Sequence, residues 1–231
     1  MGNLPINMFW KFFECCFMTS LCLLVFLLNV EASEKAGGLI TGPEVVWPDY
    51  EGGKSHIYYS ALIGSGWTDK VALPDSVGDK IMPCIVRTGD GVTWVVWVAD
   101  KVDGSSLFYV HSKGGMWSEA KEIPTGIWLN NAPSIAVDKE DRPWIVWAGS
   151  DGQQESHIFF SRWNGMAWEE ASRVNRGNST VNVTPLIGTK SNGALWASWY
   201  GLDGTFYRPY CSQWTYDESE AVWRWSEEVH C

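Results

Sequence analysis

The tryptophans of this chain recur with a period of about 50 residues. One series has separations of 50, 50 and 52 residues and consists of Trp47, Trp97, Trp147 and Trp199. A second series runs in step with separations of 50 and 51 and consists of Trp67, Trp117 and Trp168, with Trp223 or Trp225 as its fourth member. A proline series keeps the same period at Pro83, Pro133 and Pro185. Because three series share one period, the chain is predicted to contain about four tandem copies of one structural unit.

The third copy shows what one unit contains. Runs rich in Ile, Val, Phe and Trp predict strands at 134–137, 144–147 and 157–161, and Trp168 is predicted to begin a fourth strand. The second strand reads W-x-x-W, and strand side chains alternate, so its two tryptophans point to opposite faces and both faces must be covered. Four-stranded units of this length that are apolar on both faces are typical of β-propellers. The predicted fold class is all-β, a propeller-like array of about four four-stranded antiparallel blades in a closed or an open ring.

The repeat divides the chain after a leader at 1–32. The predicted units cover about 33–80, 81–130, 131–182 and 183–231. The first unit is incomplete, because only Leu39-Ile40 stands where a first strand is expected. Either that segment fills the place or the carboxyl end around 223–230 completes the ring. Association of two chains into a larger ring is a further alternative.

The leader has the features of a signal peptide. Lys11 precedes an apolar stretch at 17–30, and Val30-Glu31-Ala32 forms a small-x-small cleavage site. The chain is therefore expected to be secreted, either extracellular or periplasmic, with no membrane span after cleavage. A retained anchor is the alternative.

Three cysteines follow the leader, which allows one disulfide in an oxidising compartment. Cys211 and Cys231 are the predicted pair because both lie in the last unit, and Cys84 is then expected to be a buried, inert thiol. Sequons begin at Asn178 and Asn182, and they matter only in a host that glycosylates secreted proteins.

Two hairpins share the pattern S-x-x-x-G-x-x-W, at 60–67 and 161–168, and 112–117 is a shortened version. The pattern resembles the Asp-box hairpin of sialidase-like propellers, S-x-D-x-G-x-x-W, and the Trp-rich blades look like those of propeller lectins. Leu62 and Trp163 stand where the Asp-box has its aspartate. In that family the box is structural and remote from the active site, so the resemblance implies a fold and no activity.

Several chemistries have no support in the sequence. The net charge is −10 and Lys and Arg do not cluster, so no nucleic acid is expected as a partner. No arginine recurs at one position of the repeat, and neither G-x-S-x-G nor H-E-x-x-H occurs. His56 and His157 occupy equivalent positions but are predicted to be hydrogen-bonded strand histidines. We therefore expect no catalytic residues, no metal and no cofactor, and a protein that is not an enzyme.

Loops and hairpins carry the candidate binding residues. An acidic residue and a glycine follow the second-strand Trp in each unit, which is typical of tight turns and alternatively forms a ring of acidic loop tips. The tips considered for binding are Asp103, Asp151 and Asp203. Aromatic residues that interrupt loops or turns are candidate platforms for sugar rings, although packing is the alternative for each: Trp163, Trp128, Tyr50 and Trp214.

The predicted function is carbohydrate recognition by a secreted, non-catalytic module of the lectin kind. The alternatives are a protein-interaction scaffold at the cell envelope and a degenerate sialidase-like glycoside hydrolase. The expected partners are glycans or an envelope protein, and homo-oligomers are a further option.

Overall fold

A computed structural model describes residues 42–152 and 155–231. Over these residues the secondary structure consists of strands in four antiparallel sheets, which confirms the all-β propeller-like array. Sheet 1 contains β1 (Glu44–Glu51), β2 (Lys54–Ile63), β3 (Gly66–Trp67) and β4 (Val71–Ala72). Sheet 2 contains β5 (Asp79–Arg87), β6 (Thr93–Lys101), β7 (Gly104–Lys113), β8 (Met116–Trp117) and β9 (Lys121–Ile123). Sheet 3 contains β10 (Leu129–Val137), β11 (Pro143–Ser150), β12 (His157–Arg162) and β13 (Ser172–Arg173). Sheet 4 contains β14 (Asn182–Thr189), β15 (Leu195–Asp203), β16 (Phe206–Asp217), β17 (Val222–Trp225) and β18 (Val229–His230).

Sheets 2 to 4 begin with the same three-stranded meander, in which each strand pairs with the next one along the chain. The strands predicted in the third unit lie within β10, β11 and β12. The prediction that Trp168 begins the fourth strand was wrong. Trp168 instead closes the hairpin after β12, where it forms an isolated bridge with Trp163. The indole of Trp168 is buried against sheet 2, and the fourth strand is β13.

Sheet 1 starts at the second strand of the repeat. Trp47 of β1 pairs with Tyr58 of β2, as Trp97 pairs with Phe108 in sheet 2. Within the described residues sheet 1 therefore lacks the first strand of the repeat, which we call the inner strand. Leu39-Ile40, which were expected to fill that place, lie outside the described residues. The carboxyl end does not supply that strand, because β17 and β18 both pair with β16 in sheet 4.

Each pair of successive sheets encloses one apolar core. Trp97 lies in the core between sheets 1 and 2, and Trp94 lies in the core between sheets 2 and 3. Trp147 and Trp144 divide in the same way between the cores on either side of sheet 3. The two tryptophans of the W-x-x-W segments in sheets 2 and 3 thus face opposite neighbours, as strand alternation requires.

The periodic prolines mark a β-bulge in each inner strand. Pairing shifts register around Pro83, Pro133 and Pro185. The preceding residues have positive φ, 50° at Met82, 47° at Ala132 and 48° at Thr184. Proline has no N–H for the strand ladder, so a bulge accommodates it where a regular strand does not.

A hydroxyl at the start of the third strand ties each sheet to the next. Ser105 Oγ accepts a hydrogen bond from the Asn130 backbone N–H at 2.6 Å and donates to its carbonyl at 2.7 Å. Ser156 makes the same two bonds to Asn182 at 3.0 and 2.9 Å. We call this pair of hydrogen bonds the latch. It fixes the start of the third strand of one sheet relative to the start of the first strand of the next sheet.

The hairpin serines have a structural role in three sheets. Ser60 Oγ donates to the carbonyl of the residue after Trp67, and Ser161 and Ser212 make the equivalent bond. The last bond aligns Trp225, not Trp223, with Trp67 and Trp168. In sheet 2 the register aligns Ser112 with Leu62, so the shortened pattern at 112–117 is not equivalent to the other hairpins.

Cys211 and Cys231 form the predicted disulfide. Such a bond is compatible with an extracellular protein. Cys84 takes no part in a disulfide and is half-buried against the core between sheets 2 and 3, so it is less buried than expected. No helix with the length and hydropathy of a membrane span occurs in the described ranges.

Candidate functional site

The meander gives the array two different ends. The connections between second and third strands, and those between sheets, lie at one end, which we call the loop end. The turns between first and second strands lie at the other, the turn end, together with the hairpins that follow the third strands. Residues at opposite ends are separated by the length of a strand, about 25 Å for eight residues.

The predicted binding residues divide between these ends. Tyr50, Trp128 and the three candidate aspartates lie at the loop end. Trp163 and Trp214 lie at the turn end, where their ring centroids are 5.0 Å from Trp94 and 5.1 Å from Trp144. Both are half-buried in aromatic clusters that pack neighbouring sheets, which favours the packing alternative for each.

Trp128 is held between two acidic turns at the loop end. Its Nε1–H donates to the carbonyl of Asp103, and its own carbonyl accepts from Ser105 N at 3.0 Å. The indole lies against Gly152, where a Cβ would stand 1.8 Å from Cζ3. Trp128 is nonetheless 53% exposed. The structure therefore gathers Trp128, Asp103 and Asp151 into one fixed cluster, which we call the Trp128 site.

The repeat does not require a tryptophan at this position. The backbone N–H groups of Lys80, Asn130 and Asn182 each donate to the serine of the preceding sheet, so these three residues are equivalent in the repeat. Trp128 stands two residues before Asn130, and the residues at the same place before Lys80 and Asn182 are Gly78 and Thr180. By contrast, Trp97, Trp147 and Trp199 are 2% exposed or less. An indole that is fixed, half-exposed and unnecessary for packing is a candidate for ligand contact.

The acidic turns themselves satisfy the requirements of tight hairpins. Gly104 and Gly152 adopt φ of 133° and 88°, which a side chain would resist. Asp203 forms an ion pair with Arg208 of its own hairpin, Oδ2 to Nε 2.9 Å. It lies on sheet 4 and does not contribute to the Trp128 site.

A second group of polar residues lies at the loop end between sheets 1 and 2. Asp79 and Asp100 are directly opposed on β5 and β6, and with Lys101 they line an open groove. Partial desolvation and these two carboxylates raise the pKa of Tyr50 from its usual value. Sequence reasoning found Tyr50 but missed both aspartates, because only the strand register brings them together.

An arginine, a glutamate and a tyrosine also meet at the turn end. Glu44 accepts hydrogen bonds from Tyr59 Oη at 2.5 Å and Thr93 Oγ1 at 2.8 Å, and its other oxygen lies 3.2 Å from Arg87 Nε. Burial and the bond to Glu44 raise the pKa of Tyr59. The Glu44 side chain is only 8% exposed. These groups bind one another and connect sheet 1 with sheet 2, so their role is structural.

The described ranges contain no group of side chains arranged as a metal site. No three His, Cys, Asp or Glu side chains there converge as ligands. His157 lies near Glu155, Nε2 to Oε2 3.4 Å. Burial lowers the pKa of His157, with a contribution from Arg173.

The strand order, the bulged inner strands and the cores between sheets define an array of the propeller type. No protein-family model and no curated protein matches the sequence. Solved structures do share the fold. One is a protein of unknown function from Dyadobacter fermentans DSM 18053, with a TM-score of 0.59 and 15% identity over 76% of this chain and 58% of the other. The α-L-arabinanase of Penicillium chrysogenum, complexed with arabinobiose, has a TM-score of 0.54 and 14% identity over 82% and 65%. The Hadza microbial sialidase Hz136 has a TM-score of 0.51 and 12% identity over 77% and 46%.

These likenesses establish the fold, and the chain spans about half to two thirds of the length of those structures. They also contradict the expectation that the chain is not an enzyme, because the structures with its fold include a sialidase and an arabinanase. That expectation rested on missing linear motifs. A site assembled from separate strands leaves no such motif, so its absence is weak evidence.

Proposed function

We propose that this chain recognises carbohydrate at its loop end, with the Trp128 site as the contact surface. The observation that carries the proposal is a half-exposed indole, fixed between two acidic turns at a position where the repeat needs no tryptophan. The arabinanase and sialidase that share the fold act on carbohydrates by their names, which supports this class of ligand.

The chemistry of the site suits a sugar ring. The C–H face of a pyranose or furanose is apolar and stacks on an aromatic ring, whereas its hydroxyls need hydrogen-bond acceptors. Carboxylates at Asp103 and Asp151 accept from such hydroxyls. Because the indole is already anchored through Nε1, little side-chain entropy is lost on binding.

Export is part of the proposal. The signal-peptide features of residues 1–32 lie outside the described residues, and we propose that they direct the chain to an extracellular or periplasmic location. The Cys211–Cys231 disulfide supports an oxidising compartment. Glycans are abundant ligands for proteins displayed there.

The test is a glycan array probed with the purified chain, followed by calorimetric titration of the best ligand. Trp128→Ala is expected to weaken binding about tenfold or more, which is the usual effect of losing an aromatic anchor. Trp67→Ala is the matched control, because Trp67 is also 53% exposed but lies at the turn end. Equal losses in both variants, or no saturable binding to any glycan, would contradict the proposal.

A second candidate function is glycoside hydrolysis in the groove that Asp79, Asp100 and Lys101 line. Opposed residues on antiparallel strands have Cβ atoms about 5 Å apart. Retaining glycosidases hold their two carboxyl groups about 5–5.5 Å apart, and the pairing of Asp79 with Asp100 brings two carboxylates of neighbouring strands together in this groove.

Turnover of a panel of fluorogenic glycosides tests this second function. Asp79→Asn and Asp100→Asn are each expected to abolish turnover, while Asp203→Asn, on sheet 4, leaves it unchanged. Turnover that survives both groove variants would assign the chemistry elsewhere.

A further inference from the structure

The two terminal sheets each leave one face uncovered. In the middle sheets the second strands are buried on both faces, as β6 and β11 show along nearly their whole length. In sheet 4 the second strand, β15, alternates between buried residues and residues that are partly buried or exposed. Tyr200 of β15 and Tyr207 of β16 lie on its uncovered face and are 46% and 39% exposed.

Sheet 1 leaves uncovered the face that carries Trp47, which in the other sheets packs on the preceding sheet. Trp47 stacks on Tyr58 within its own sheet, with ring centroids 6.0 Å apart, and is only partly buried. Its equivalents Trp97, Trp147 and Trp199 are almost fully buried because a preceding sheet covers each of them. Nothing in the described ranges covers Trp47 in this way.

The cores inside the chain show which faces fit together. The core between sheets 2 and 3 joins the face of Trp94 to the face of Trp147. The next core joins the face of Trp144 to the face of Trp199. In both, the first W-x-x-W tryptophan of one sheet meets the second W-x-x-W tryptophan of the following sheet. The free face of sheet 4 carries Trp196, a first tryptophan, and the free face of sheet 1 carries Trp47 in the place of a second one.

We propose that the outer face of sheet 4 in one copy of this chain docks on the outer face of sheet 1 in a second copy. The contact joins the same two kinds of tryptophan face that meet in the cores within the chain. Around Trp47 the rim is polar, since Lys70 lies 3.9 Å from Asp49 and 3.7 Å from Glu51. A polar rim around an aromatic centre is the usual anatomy of an interface.

The area is sufficient for association when the contact forms twice. The four strands of sheet 4 present a face of about 19 by 26 Å, or roughly 500 Å², and the two long strands of sheet 1 present about half of that, roughly 250 Å². Head-to-tail contacts generate a ring where the rotation closes. Two copies in a ring then bury two faces of each kind, roughly 1,500 Å² in total, which lies in the range of stable protein interfaces.

The molar mass of the purified chain in solution, measured by light scattering and sedimentation at micromolar concentrations, tests the proposal. The wild type is expected to have the mass of at least two chains. A variant with Tyr200→Lys and Tyr207→Lys loses the sheet 4 face, and Trp47→Lys loses the sheet 1 face, so each alone is expected to be monomeric. Tyr216→Lys is the control, because Tyr216 is 49% exposed but lies on the other face of β16.

Mixing the two monomeric variants gives the decisive result. One intact sheet 4 face and one intact sheet 1 face remain in the mixture, so a complex of one copy of each is expected, held by a single contact and therefore formed only at concentrations above those at which the wild type associates. Wild-type protein that stays monomeric, or folded variants that do not combine, would overturn the proposal. Val45→Lys, on the same face of β1, replaces Trp47→Lys if circular dichroism shows that the latter is unfolded. Glycan binding at the Trp128 site is measured separately and does not affect this outcome.

Discussion

Single buried polar residues hold the sheets of this molecule together. Asn182 is fully buried and its side chain donates to the carbonyls of Ser156 and Ser179, both at 2.9 Å. Its Oδ1 accepts from Trp199 Nε1 at 3.1 Å. Asn182 thus connects the third strand of sheet 3 with two strands of sheet 4.

The role of Asn182 also decides how the sequons are used. The first sequon, at Asn178, is exposed, whereas the amide of Asn182 is buried and hydrogen-bonded on both sides. In a glycosylating host we expect the folded protein to carry a glycan at Asn178 alone, because a glycan on Asn182 would break the buried hydrogen bonds of its amide.

Asn182→Ala is expected to lower the free energy of unfolding by about 3 kcal/mol, since it leaves the Trp199 N–H and the Ser179 carbonyl without partners. Urea denaturation followed by tryptophan fluorescence measures the change. Asn178→Ala is the control and is expected to stay within about 0.5 kcal/mol of wild type. Similar losses in the two variants would show that the Asn182 side chain does not stabilise the array.

Asp138 is a buried carboxylate in the turn between β10 and β11. Burial alone would raise its pKa, but hydrogen bonds from the backbone and guanidinium of Arg142 and from Trp144 outweigh burial and lower the pKa. Arg142 Nε and Trp144 Nε1 each donate at 2.8 Å. The ionised form is therefore the one that stabilises the fold.

The sign of the pH dependence follows from this depressed pKa. The stabilisation is complete above the unfolded pKa, about 3.9, and is lost as the pH falls through the lower folded pKa. We expect Asp138→Asn to cost about 2 kcal/mol at pH 7. The difference from wild type should shrink below about pH 4. Denaturation at pH 7 and pH 3 measures both values, and a difference that does not depend on pH would contradict this role.

At the scale of elements, the repeated hairpins differ most in sheet 4. Its third strand, β16, is 12 residues long and extends past the point where the hairpins of sheets 1 and 3 close. The chain then returns along β16 through β17 and β18, and the disulfide joins Cys211 of β16 to the last residue. The bond holds the carboxyl end of the chain on its own sheet.

Loss of this disulfide is expected to destabilise the protein by about 3 kcal/mol, because it closes a loop with a sequence separation of 20 residues. Denaturation of wild-type protein with and without reductant measures the effect. Cys211→Ser should reproduce the reduced state and should show no further response to reductant. A response that persists in the variant would point to Cys84 instead.

Across the whole molecule, protection of the backbone should decrease from the middle sheets toward the ends. The middle strands β6 and β11 are covered on both faces, whereas β1 has pairing on only one side within the described residues. Hydrogen exchange measured by mass spectrometry should therefore be slowest in β6 and β11 and faster in β1. Uniform exchange in all four sheets at a concentration where the chain is monomeric would contradict this gradient.

The sequence by itself determined the repeat. Tryptophans at a 50-residue period predicted four units, and W-x-x-W segments predicted sheets covered on both faces, as sheets 2 and 3 are, because side-chain alternation is a local property of a strand. The proline series also marked the inner strands. Their bulges were not predicted, since a register shift depends on the partner strand.

Only the tertiary structure decided which aromatic residues are available to a ligand. Trp163, Trp214 and Trp128 are alike in sequence, but the first two pack between sheets at the turn end and the third is fixed at the loop end. Asp79 and Asp100 are 21 positions apart, and the pairing of β5 with β6 places them opposite each other. Burial and proximity are set by contacts between distant segments, which no local pattern contains.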